Sequence, residues 1–159
     1  MNTYNKSQGQ QDFTEQKRQH FKQDFRTREN YNKEQADKFK DEWIKKVLND
    51  DAIKFADDFG KYLTDAKKDE QLTTSQIRNF FGEMRRIQLK GFKNEATAFL
   101  LLKPKLAYMA ARVNKERINT FRKVMDFAHG AVGDSEERFK NYCDLLEAIL
   151  AYHKAHGGK

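Results

Sequence analysis

Apolar residues recur along most of the chain at intervals of three and four, the period that lines side chains along one face of an α-helix. From Ala36 the set Ala36, Phe39, Trp43, Ile44, Val47 and Leu48 shares a face. Asn49-Asp50-Asp51 interrupts it, and Ile53, Phe55, Ala56, Phe59, Tyr62 and Leu63 form a second set. The charged stretch from Asp65 to Gln71 reads as a loop. Thr73 is then placed as an N-cap with Gln76 three residues on, a capping-box pattern, and Leu72 and Ile77 occupy the two positions of a hydrophobic staple. The helix so started runs to about Lys90, burying Ile77, Phe80, Phe81, Met84 and Ile87, and Gly91 ends or bends it. Phe80 and Phe81 are neighbours and cannot face one direction, so at least one is core.

A further helix covers roughly residues 94–102. Pro104 cannot lie inside a helix, because it lacks the amide donor and clashes with the preceding turn. It is therefore expected near the first turn of a long helix running to about Ala128, with Leu106, Met109, Ala110, Val113, Phe121, Val124 and Met125 as its apolar stripe. Gly130 to Gly133 reads as a turn, and Asp134 with Glu137 as a second capping-box-like start. The last helix buries Phe139, Tyr142, Leu146, Ile149 and Leu150 and ends at Gly157. No strand pattern and no internal repeat emerges. Residues 1–35 are polar, with Phe13, Phe21, Phe25 and Tyr31 scattered among Gln, Asn, Lys and Asp. They read as an arm, disordered over the first ten residues and a marginal helix after them. The expectation is an all-α protein: a compact bundle of about five helices over 36–159, preceded by a polar, partly disordered N-terminal arm over 1–35.

Composition narrows the class. The 159 residues hold one Pro and eight Gly, little turn material for an all-β fold, and 35% are charged. Apolar runs such as Ala98 to Leu102 are far too short to cross a bilayer, and MNTYNKSQGQQ has no apolar core of a signal peptide. A lone cysteine, Cys143, excludes an internal disulfide and suits a reducing compartment. It sits among apolar neighbours and reads as core. The expected location is cytoplasmic, with no membrane partner.

Charge is unevenly spread. Residues 71–125 carry twelve Lys/Arg against three Asp/Glu, whereas the other 104 carry nineteen against twenty-one, so the net +7 is local. A concentrated positive surface is what a polyanion binder needs, because binding there releases condensed counterions. On a helical wheel Arg78 and Arg85 line up beside Phe81. Lys105, Tyr108, Arg112, Lys115, Asn119 and Lys123 follow one face of the long helix, opposite its apolar stripe. Guanidinium and ammonium groups at one-turn intervals can each pair with phosphate oxygens, and a tyrosine between them can stack a base. A tyrosine at the edge of the core is the commoner state, and so is a solvated charged face; what argues against the latter is the scarcity of acids, since ordinary surface helices mix signs. Arg117 falls inside the apolar stripe. Its head snorkels or pairs with a carboxylate, or it points into an interface, with structural pairing the favoured reading.

Catalytic constellations are thin. His153 and His156 are three apart but lack a third metal ligand of suitable spacing, and read as surface or capping residues. Asp57-Asp58 and Glu136-Glu137 are solvated pairs, since adjacent residues do not converge on one ion. There is no glycine-rich phosphate loop and no nucleophile motif. A nuclease is poorly supported, and neither metal nor cofactor is expected.

Three segments carry a resemblance. LTTSQIRNFFGEMRRI at 72–87, LLLKPKLAYMAAR at 100–112 and the terminal AYHKAHGGK resemble the small helical subunit of type III-A CRISPR effector (Csm) complexes, over roughly residues 36–159. The order and separation of the first two match as well, and LTTSQIR favours type III-A over the related type III-B subunit. The resemblance implies a helical bundle, several copies of which line the inner groove of a filament built on CRISPR RNA, facing the backbone subunits. It implies a non-catalytic role in antiviral defence, RNA and DNA cleavage belonging to the backbone and large subunits. The implied partners are CRISPR RNA, target RNA, those subunits and further copies of the chain. By motif, Arg78 in TSQIR and Lys103, Lys105 and Arg112 in KPKLAYMAAR are the positions expected to touch RNA; Arg85, Tyr108 and Lys115 join them from the wheel. The alternative is an adaptor whose basic face meets an acidic protein with no nucleic acid involved.

Overall fold

The computed structural model describes residues 6–65 and 70–159, with side chains from Glu15 onward. The described residues form eight helices and no strand: α1 (Lys6–Asp37), α2 (Glu42–Lys45), α3 (Asp50–Thr64), α4 (Thr74–Lys90), α5 (Ala96–Leu100), α6 (Leu102–Val113), α7 (Glu116–Val132) and α8 (Glu136–Ala155). Six of these have twelve residues or more, against the five expected; α2 and α5 are single turns. The chain divides into two units, Met1–Glu34 and Gln35–Lys159. In the first, helix begins at Lys6, inside the stretch read as disordered. The rest of that stretch, residues 1–5, lies outside the described residues.

In the second unit α8 is the hub, packed by α2, α3, α4 and α7. Its buried face carries Phe139, Tyr142, Leu145, Leu146, Ile149 and His153; Leu150, expected there, is only half-buried. The α3–α8 pairing is close because residue 60 is glycine. A Cβ at Gly60 would lie 2.7 Å from the His153 amide nitrogen, a contact the backbone cannot relieve. From α3 Ala52, Phe55, Ala56, Phe59, Tyr62 and Leu63 enter the core, whereas Ile53 is exposed. The Ala36–Leu48 set is split by the end of α1, so Ala36, Trp43 and Ile44 are buried and Val47 is exposed.

Local capping follows ordinary rules. Asn49 caps α3, its side chain accepting from the Ala52 amide at 3.0 Å, and Asp50 and Asp51 complement the helix dipole. Thr73 and Gln76 form the expected reciprocal box, with Leu72 and Ile77 both buried beneath it. Gly91, at φ 92°, ends α4. Pro104 sits in the first turn of α6, where its missing amide costs nothing. The start of α8 is one residue later than expected: the Ser135 side chain, rather than Asp134, accepts from the Arg138 amide.

The largest departure lies between α6 and α7. The single long helix expected from Pro104 to Ala128 is two helices, broken where Asn114 takes the left-handed conformation at φ 51° and Lys115 is extended. Arg117 lies just past this corner, and its role is structural. Its guanidinium stacks 4.0 Å over the Tyr62 ring and donates to the Asp65 carbonyl oxygen at 2.9 Å. A ring and a main-chain oxygen are thus among the partners that hold it.

His153 is not a surface or capping residue. It is fully buried, and its Nε2 donates to the Leu72 carbonyl oxygen at 2.7 Å, tying α8 to the residue that precedes the α4 cap. Gly158 closes over the ring; a Cβ there would stand 2.1 Å from His153 Cε1. His156, by contrast, is at the surface and pairs with Asp57.

Candidate nucleic-acid interface

The twelve positive charges of residues 71–125 fall into two groups once their neighbours are known. Lys105 of α6 donates to Glu83 of α4, and Arg86 reaches Glu83 at 3.7 Å and Glu95 at 3.1 Å. Lys90 also lies 3.9 Å from Glu95, and Arg122 pairs with Asp126 at 3.4 Å. The Lys105 ammonium holds the Glu83 carboxyl below the ordinary carboxylate range, chiefly through its hydrogen bond. Three carboxylates, Glu83, Glu95 and Asp126, therefore offset four of the segment's cations, and the Tyr62 ring occupies Arg117. Arg85 donates to the Gln88 side chain at 2.6 Å. The remaining six, Arg78, Lys93, Lys103, Arg112, Lys115 and Lys123, form no ion pair among the described residues.

Their directions are set by helix packing. On α4 the buried face of Ile77, Phe80, Met84 and Ile87 has two shoulders. Arg78 and Arg85 are two turns apart on one of them, and the Arg85 charge is felt at Cys143 of α8. Glu83, Arg86 and Lys90 occupy the other, toward α5 and α6. There Asn79, Phe80, Glu83, Leu102, Lys105 and Met109 line a shallow groove of about 150 Å³ between α4 and α6. On α6, Lys105, Tyr108 and Arg112 share the shoulder at this groove, whereas Lys103 is turned toward α7, where its charge helps to lower the pKa of His129.

The structure thus brings Lys105, Tyr108 and Arg112 together, and Arg78 with Arg85. It separates those two sets across α4, and it places Lys103 apart from both. Lys115 does not continue the α6 row. It is the N-cap of α7, with φ −120° and ψ 151°, and the break at Asn114 turns it, Asn119 and Lys123 onto a new axis. Tyr108, for which the core edge was the commoner state, is 70% exposed. Phe80 is core, stacked edge-on against Phe121 at 6.0 Å, and Phe81 is half-buried.

Other chemistry is engaged in packing. Cys143 is buried, and burial pushes its thiol up to about 12, which leaves it protonated and inert. His129 stacks on Phe99 at 3.9 Å between ring centroids and donates to its carbonyl oxygen at 2.9 Å. Among the described residues no group of three His, Cys, Asp or Glu is placed to hold a metal ion, and no helix is long and apolar enough to cross a membrane.

Comparison with known families matches residues 45–159 to the model described as Csm2 Type III-A. No curated protein and no solved structure matches.

Proposed function

The chain belongs to the Csm2 Type III-A family, and we propose that, as the small subunit of a type III-A CRISPR complex, it holds guide and target RNA by phosphate contacts. The reading is non-catalytic and cytoplasmic: the protein braces RNA within the assembly, beside backbone and large subunits and further copies of itself, in antiviral defence. The observation that supports it best is the set of exposed cations without a carboxylate partner among the described residues, above all Arg78 and Arg112. An ordinary helical surface would have satisfied these with acids one turn away. Exposed Tyr108, between Lys105 and Arg112, adds a ring on which a base can stack.

Recognition of this kind reads backbone, so it is independent of sequence, which the guide supplies by pairing. Single copies bind weakly, and tightening comes from multivalency along the assembly. The test is binding of the purified protein to labelled single-stranded RNA across a salt series. Engagement of about four phosphates gives a slope of log affinity against log salt of roughly −3. Arg78→Glu with Arg112→Glu should weaken binding to unrelated RNA sequences alike and flatten that slope. A wild-type slope near zero would refute phosphate binding and favour an acidic protein as the partner of this face.

A further inference from the structure

Helix α1 lies outside the family-matched range and has its own charge pattern. Between Gln16 and Arg28 five bases, Lys17, Arg18, Lys22, Arg26 and Arg28, accompany one acid, Asp24. Averaging over residues 1–35 hides this, because Asp12, Glu15, Glu29 and Glu34 offset it. Every residue from Glu15 to Tyr31 is exposed. Phe21 and Phe25 stand one turn apart in water, 73% and 53% exposed. Arg18 lies one turn before Phe21 and two before Phe25, with Lys22 alongside them, on the same side of the helix. Neither base forms an ion pair among the described residues. Arg28 pairs with Asp24 at 3.3 Å, which blunts the only carboxylate of the stretch.

Two phenyl rings held in water are unfavourable without a ligand, and a helix with no packed face is marginal by itself. The missing ligand must offer flat apolar surface and negative charge at one-turn intervals. A bilayer is a poor match: the apolar face is only two rings wide, much narrower than interfacial helices present. A protein groove is a poor match too. Thr14, Arg18, Arg28 and Asn32, which extend the stripe on either side, are all polar, so the third apolar anchor of helix-in-groove docking is missing. Unpaired nucleotides offer both properties, a π-face on each base and a charge on each phosphate.

We propose that α1 is a single-stranded RNA-binding arm, in which Phe21 and Phe25 stack unpaired bases and Arg18 and Lys22 hold the adjoining phosphates. It shares its ligand class with the function proposed for the bundle but rests on none of the same residues. Because the two rings are already exposed, removing them leaves the bundle core intact.

The experiment uses the full chain with two probes, a short fluorescein-labelled single-stranded RNA and the matching RNA duplex. Phe21→Ala with Phe25→Ala should weaken single-strand binding about fivefold or more and leave duplex binding unchanged, since paired bases cannot stack on the rings. Arg18→Glu with Lys22→Glu should weaken both probes and flatten the salt slope on the single strand by about 1.4. Wild-type affinity for the single strand in both α1 variants overturns the proposal, and so does loss confined to association with the other subunits or with phosphatidylserine vesicles. Loss in the Arg78/Arg112 variant with α1 variants unaffected would sink the arm and keep the bundle reading. The converse would keep the arm and sink the bundle.

Discussion

Lys105 shows how one neighbour changes the meaning of a charge. From the sequence it is a cation inside a family-like motif; in the fold its ammonium is held by Glu83, twenty-two residues earlier. Nothing local could disclose that pair, because it exists only once α4 packs on α6. Arg112, on the same shoulder, has no such partner among the described residues. The ion pair is surface-exposed, so it contributes little to stability, but it competes directly with phosphate for the ammonium. Glu83→Gln should therefore release Lys105 and raise affinity for single-stranded RNA about two- to threefold at low salt, with the salt slope steeper by up to about 0.7. Lys105→Ala in the wild-type background should cost less affinity than Arg112→Ala. Equal losses for the two alanine variants would mean that Glu83 does not screen Lys105. The positive surface as a whole was legible from residue types, whereas its division into occupied and available cations was not.

At the scale of elements, what is local was legible. The Thr73–Gln76 box, the Leu72–Ile77 staple, Gly91 and Pro104 each act through neighbours in sequence, and α4 and α6 start and α4 ends where those residues put them. The corner between α6 and α7 was not. Its apolar positions, Leu106, Ala110, Val113, Phe121 and Val124, keep helical spacing straight through the break, and neither Gly nor Pro marks it. The one irregularity was Arg117, an arginine in an apolar stripe, which is seated against Tyr62 because the chain turns there. The turn depends on Asn114, one of the few side chains that tolerate the left-handed region. Asn114→Ala should destabilise the protein by about 1 kcal/mol, and Asn114→Gly should be near neutral, since glycine reaches that region without strain. Urea denaturation of the two variants reads the difference directly. An alanine variant as stable as wild type would show that α6 and α7 can run on as one helix at no cost.

The whole bundle closes around α8, and two histidines are built into that closure, where sequence reasoning looked for neither. A lone histidine at helical spacing gives no signal that separates a buried hydrogen-bonded ring from a surface one; the difference lies in Gly60 letting α3 approach and Gly158 folding over His153. Burial lowers the pKa of both His129 and His153 from the ordinary value of 6.5. At His129 the nearby Lys103 adds to the effect, while its hydrogen bond to Phe99 and the Asp126 charge oppose it. At His153 Lys154 adds, and the hydrogen bond to Leu72 opposes. The Nδ1 of His153 is buried with no hydrogen-bond partner among the described residues, so a proton there would have no acceptor. Burial thus favours the neutral form of both rings, and the unfolded chain binds protons at these positions more readily than the folded chain. The stability linked to them is fully present above about pH 6.5 and is lost as pH falls from there through the lowered folded values. Depressed carboxylates such as Glu83 act only below about pH 4.5, the ordinary value for that group, so the interval between neutrality and pH 5 belongs to the histidines. Thermal unfolding followed by circular dichroism should give a midpoint that is flat from pH 8 to 7 and declines toward pH 5. His153→Gln keeps a side-chain N–H for the Leu72 carbonyl oxygen and removes the titration. Its midpoint is expected to be lower at neutral pH, from imperfect packing, but to decline less between pH 7 and 5. A variant whose decline matches the wild type would show that the buried ring of His153 takes no part in the acid sensitivity of the bundle.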